Sequence, residues 1–171
     1  MTIFISLIAI LQSFSISLGV GSSTLAIINF FVAIFDGKID ETERRMMGVA
    51  YIVLRVAMVF ILLTTISLLS VEASGRGVFG LSAFSLAQLI IIMVLFINAM
   101  LMTARLMPST FGPAIQAGSW YTLGTLAAFV PLGLVGFSLT QFLLGYLTFI
   151  VLAVSIVNGV MAVIKHRKRI T

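Results

Sequence analysis

Four stretches of this chain are almost free of charge: Met1 to Phe35, Met46 to Ser70 apart from Arg55, Gly77 to Ala104, and Leu106 to Ile164. Each reaches or exceeds the roughly 18 to 20 apolar residues that a helix needs to cross a bilayer. Composition agrees: 61% of the residues are hydrophobic and 9% charged, where a soluble domain carries about 25% charged residues. Mean hydropathy is +1.25. Hydrocarbon offers the backbone no hydrogen-bond partner, so spans of this kind must be helical. The expected fold class is all-α, a polytopic membrane helical bundle forming a single transmembrane domain over 1–171.

Turn signals divide the stretches into five transmembrane helices at about 3–35, 41–70, 82–106, 113–130 and 137–164, followed by a basic tail at 165–171. Asp36-Gly37 ends the first with a glycine suited to a helix C-terminus. Asp40 to Glu43 reads as a capping box opening the second. The segment EASGRG around Arg76 and the stretch Pro108 to Pro113 read as loops, and Pro131 with Gly133 and Gly136 closes the fourth helix. The amino terminus lacks a basic region ahead of its apolar run, so that run is expected to be a mature span rather than a signal peptide.

Lys and Arg are retained on the cytoplasmic side of a membrane. With five spans, one side receives Lys38, Arg44, Arg45, Arg105, Lys165, Arg167, Lys168 and Arg169, and the other only Arg76. This predicts an outside amino terminus and a cytoplasmic carboxyl terminus, in what is expected to be a prokaryotic cytoplasmic membrane. The same placement explains a pI near 10.3 without nucleic acid, which is not an expected partner.

The first helix, about 33 residues, would be about 50 Å long against a hydrocarbon core of about 30 Å. It must tilt, protrude or break, and Gly19-Val20-Gly21 with Ser22-Ser23-Thr24 is the expected place for an interruption. Around it run two rows of small residues, Ser13, Ser17, Gly21 and Ser15, Gly19, Ser23, on nearly opposite faces. Small residues let membrane helices approach closely, which predicts a central position for this helix. Ser15, Ser17, Gly19, Gly21, Ser22 and Ser23 are thus candidates for either plain packing or a polar path at a discontinuous helix.

The three asparagines, Asn29, Asn98 and Asn158, each precede the first charge at their helix end by seven residues, at Asp36, Arg105 and Lys165. In the assigned topology they share one depth, about 10 Å inside the cytoplasmic boundary by helical rise. An unpaired amide in hydrocarbon costs several kcal/mol, so a shared polar layer facing protein is expected. It would serve as interhelical bonding or as a coordination layer for a small polar solute. Gln12 and Gln141, each 17 residues ahead of Asn29 and Asn158, hint at a duplication.

Arg55, in YIVLRVAMVF, is the fourth candidate of that layer. Placed near the inner edge, its guanidinium can snorkel along Tyr51 toward the cytoplasm. Placed near the midplane, it would need amides or an incoming anion, because no span offers a carboxylate.

Catalytic constellations are missing. There is no cysteine, and the single histidine, His166, lies in the tail KHRKR, so no metal ligand set or cofactor is expected in the bundle. DGKIDETE imitates half of an EF-hand loop, but its first ligand positions fall on Val32 and Ile34.

The combination of LGVGSST on a long first helix, a DGKID turn, INA closing helix three and SWYTLGTL on helix four resembles uncharacterised small bacterial integral membrane proteins. These look distantly like the copper-resistance D type of helical bundle. The resemblance implies a helical membrane bundle. The histidines of such bundles are missing, with Ser13 and Phe14 near where one would sit, so a haem or copper role is not implied.

Two function classes stay open, and an enzyme is the poorest fit to either. One is a channel or transporter for a small polar or anionic solute. The other is a non-transporting accessory subunit or scaffold, in a homo-oligomer or beside a membrane partner subunit.

Overall fold

The computed structural model describes residues 2–36, 40–108 and 111–170. The described chain is helical: α1 (Thr2–Asp36), α2 (Glu41–Arg76), a 3-10 turn (Val78–Gly80), α3 (Ala83–Thr103), α4 (Phe111–Phe129) and α5 (Leu139–Ile170). The segments Ile3–Val32, Glu41–Arg76, Ala83–Thr103 and Leu139–Ile164 are each long and apolar enough to cross a membrane. α4, whose sequence FGPAIQAGSWYTLGTLAAF is diluted by Gly, Ser, Gln and Thr, is not in that group.

Local chemistry sets the helix ends. At the start of α2, the Glu43 backbone N–H donates to Asp40 Oδ1 at 2.6 Å, and the Asp40 N–H donates to Glu43 Oε2 at 3.1 Å. This is the reciprocal cap expected from the sequence. α5 starts the same way, with Ser138 N–H donating to Gln141 Oε1 at 2.9 Å and Gln141 N–H to Ser138 Oγ at 3.2 Å. Gln141 is therefore a cap, whereas Gln12 is buried in the bundle, and the two glutamines share no role. Glu72, near the end of α2, accepts from the Ser82 backbone and the Ser85 hydroxyl at the start of α3. Its negative charge suits a helix N-terminus. The Asp36-Gly37 turn lies partly outside the described residues, since Gly37, Lys38 and Ile39 are not among them.

Partner positions give the directions of the helices. Gln12 meets both Thr65 and Gln88, Asn98 meets Gly112 and Gln116, and Ser119 meets Tyr146. α1, α3 and α5 run one way; α2 and α4 run the other. α4 packs against α1, α3 and α5 and carries Ser119, Trp120 and Leu123, all 0% exposed. The central helix is therefore α4. α1 was expected there from its two small-residue rows, but only one row is covered: Ser15, Gly19 and Ser23 are buried, while Ser13, Ser17 and Gly21 are exposed.

α1 also runs unbroken through Gly19-Val20-Gly21, against the expected interruption. The hydroxyls of Ser13, Ser15, Ser17 and Thr24 each donate to the carbonyl four residues earlier, so the helix absorbs its own polar groups. Gly19 has a different purpose. A Cβ there would lie 2.2 Å from ring carbons of Trp120, so the indole of α4 lies directly on the backbone of α1.

The helices differ in length, and the difference shapes one end. From the Gln12–Thr65–Gln88 level, α1 continues for 24 residues to Asp36 and α2 for 24 back to Glu41, while α3 has 15 left to Thr103. The excess of nine residues corresponds to about 13 Å of helix. α3 and α4 thus stop short of the α1–α2 pair at the end where α5 also leaves the bundle, called here the tail end.

Candidate functional site

Amide side chains buried inside the bundle fall into two groups. The group away from the tail end joins three helices: Gln12 Nε2 of α1 donates to Thr65 Oγ1 of α2 at 3.0 Å and to Gln88 Oε1 of α3 at 3.5 Å. All three side chains are buried, and none leaves a buried polar atom without a partner. Between this group and the tail end lie Ile61, Ile91, Leu95 and Trp120 at 0% exposure and Ile92 at 1%. They form an apolar plug. The Trp120 Nε1 inside it has no hydrogen-bond partner, a cost of about 1–3 kcal/mol set against burial of the largest side chain in the core.

The tail-end group is built on Asn98, which is 2% exposed. Its Nδ2 donates to Gly112 O and to Gln116 Oε1, both at 2.9 Å, and lies 3.5 Å from Met102 Sδ. Gln116 Nε2 reaches Met58 Sδ at 3.5 Å. Asn98 Oδ1, although buried, accepts nothing. Two adjoining cavities open beside this group, of about 300 Å³ and 490 Å³, and they share Arg55, Met58, Ala99 and Thr103. Tyr51 and Gln116 line the smaller, and Val59, Phe96 and Met100 the larger.

Arg55 itself is exposed and makes no hydrogen bond or ion pair to any described residue. It lines the larger cavity together with Thr103 and Ala104 at the end of α3, and helical side chains lean toward their N-terminus, which for α2 is the tail end. Arg105 follows at φ 57°, in the left-handed region. Its N–H bonds to Met102 O and that of Leu106 to Leu101 O, a C-terminal cap that glycine usually supplies. An arginine there costs about 1–2 kcal/mol of backbone strain and puts a cation at the negative end of the α3 dipole.

The expected asparagine layer is only partly assembled. Asn98 is buried and pairs with Gln116, whereas Asn29 and Asn158 are half-buried, and no hydrogen bond links the three among the described residues. Of the small residues on α1, Ser15, Gly19, Ser22 and Ser23 face protein, while Ser17 and Gly21 face outward. Gln88, Gln116 and Thr65 were not singled out in the sequence. The cost argument applied to asparagine holds equally for glutamine in an apolar helix, and it would have found Gln88 and Gln116. Nothing local distinguishes Thr65 from its neighbours.

Among the described residues, no group of three His, Cys, Asp or Glu side chains is placed to hold a metal ion. Comparison with protein-family models, curated proteins and solved structures finds no match to this chain.

Proposed function

We propose that the protein is a small integral membrane transporter or channel that takes a polar or anionic solute into the tail-end cleft. One observation carries this reading. A cationic donor, Arg55, lines a cleft without a described partner, and beside that cleft the buried acceptor Asn98 Oδ1 also stands unpaired, whereas the Gln12–Thr65–Gln88 group away from the tail end is satisfied. A site open at one end and closed toward the other by Ile61, Ile91, Ile92, Leu95 and Trp120 is what an occluding transporter presents between transport steps. The Lys and Arg bias supports a cytoplasmic tail end, a reading in which α4, antiparallel to α3, is a fifth span. The experiment is ion and small-solute flux in liposomes holding the purified protein, with Asn98→Leu and Arg55→Gln alongside. Flux that both variants lose, with folding intact, supports the reading; no wild-type flux across a broad panel rejects it.

A second reading, a non-transporting accessory subunit or scaffold, is favoured by the packed plug. It predicts no flux and makes the amide groups interhelical bonds of about 1 kcal/mol each.

A further inference from the structure

The walls of the cleft are unlike those of a site for a hydrated ion. From Arg55 toward the middle of the bundle, the larger cavity is bounded by Met58 and Val59 on α2 and by Phe96 and Met100 on α3. Val59 is 52% and Met100 69% exposed, so the cavity opens sideways, where the flanking helices meet hydrocarbon. At its other end stand Thr103 and Ala104, at the last turn of a helix of 21 residues, and Arg55 lines the same cavity from α2. Such a helix is about 31 Å long, close to the hydrocarbon thickness of a bilayer. Arg55 therefore stands within a side chain's reach of headgroup depth, with an apolar slot running inward beside it.

None of the four carboxylates whose side chains are described answers the charge. Asp40 and Glu43 cap α2, Glu41 pairs with Arg45 at 2.6 Å, and Glu72 serves the start of α3 at the opposite end. A cation over an apolar slot matches an amphiphile with an anionic head, and guanidinium matches phosphate through paired N–H donors. We infer that the cleft between α2 and α3 binds an anionic phospholipid of the surrounding bilayer, its phosphate on Arg55 and an acyl chain along Val59, Phe96 and Met100. This rests on the same cleft as the transport reading and names the class of its ligand: an amphiphile that enters from the side rather than a free ion.

The test is lipid retention by native mass spectrometry of the full chain, equilibrated with equal amounts of phosphatidylglycerol and phosphatidylcholine. The wild type should retain phosphatidylglycerol about fivefold over phosphatidylcholine, the effect of one basic residue near a membrane surface, and Arg55→Gln should remove the preference. Val59→Trp, at an exposed position and with the charge unchanged, should lower retention of phosphatidylglycerol by filling the slot. Inorganic phosphate at millimolar concentration should not displace the lipid. Equal retention of both lipids by the wild type, an unchanged preference in Arg55→Gln, or displacement by phosphate would each overturn the inference. Flux dependent on Arg55 without lipid preference would sink the inference and leave transport standing; lipid preference without flux would do the reverse.

Discussion

The two ends of the bundle hold the same kinds of side chain, amides and hydroxyls within apolar helices, yet they use them differently. Away from the tail end, Gln12, Thr65 and Gln88 close on one another and leave no buried atom unpaired. At the tail end, Asn98 spends its donors on Gly112 and Gln116 while Oδ1 accepts nothing, and Arg55 faces a cleft without a partner. The first arrangement is what helix register requires. The second leaves Asn98 Oδ1 without a donor beside the cleft, which is what the proposed function rests on.

The largest effect should come from the plug that separates the two. Gly19→Ala puts a methyl 2.2 Å from Trp120 ring carbons, and forced overpacking of this kind costs about 3 kcal/mol. Thermal unfolding in detergent should show it; a change under about 0.5 kcal/mol would mean that the indole is free to move and the plug is loose.

Next is the contrast between satisfied and unsatisfied amides. Gln88→Leu alone should destabilise by about 1–2 kcal/mol, while the triple change Gln12→Leu, Thr65→Val and Gln88→Leu should recover much of that loss, because removing all three partners leaves no polar group stranded. Asn98→Leu should cost no more than Gln88→Leu in denaturation, yet remove flux. Equal behaviour of the two sites in both assays would erase the distinction.

The two small rows of α1 offer a test of comparable size. Ser15→Leu, at a 2% exposed position, should cost about 1–3 kcal/mol by overpacking. Ser17→Leu, on the exposed face, should stay within about 0.5 kcal/mol. Smallest of all, Arg55→Lys should leave stability unchanged within about 0.5 kcal/mol, since a lysine also reaches the interface; a larger loss in the same melts would give the guanidinium a structural partner.

Reading the chain as helices needed little beyond its charge-free stretches, and the Asp40–Glu43 cap was visible because it depends on neighbours in sequence. What depends on partners was less legible. The asparagine spacing singled out Asn98, which is buried and paired, but could not say that Asn29 and Asn158 turn partly outward, because spacing from a helix end fixes height and not azimuth. Two small rows on α1 looked like two tight neighbours. Only the Gly19 row meets one, and the sign of it lay about a hundred residues away in the single tryptophan, Trp120. Arg55 was legible as an anomaly, but the cleft beside it lies between α2 and the end of α3, whose shortness relative to α1 and α2 appears only once register is known.

The central claim is a cleft reachable from the tail end and shut off from the opposite one. The chain has no cysteine, so single cysteines report without background. Ala99→Cys, lining both cavities, and Thr65→Cys, in the closed group, would be exposed in phosphatidylcholine proteoliposomes to an anionic, membrane-impermeant methanethiosulfonate applied to each side in turn. The account predicts labelling of Ala99→Cys from the tail side alone and none of Thr65→Cys from either. Labelling of Thr65→Cys, or of Ala99→Cys from the opposite side, would contradict it.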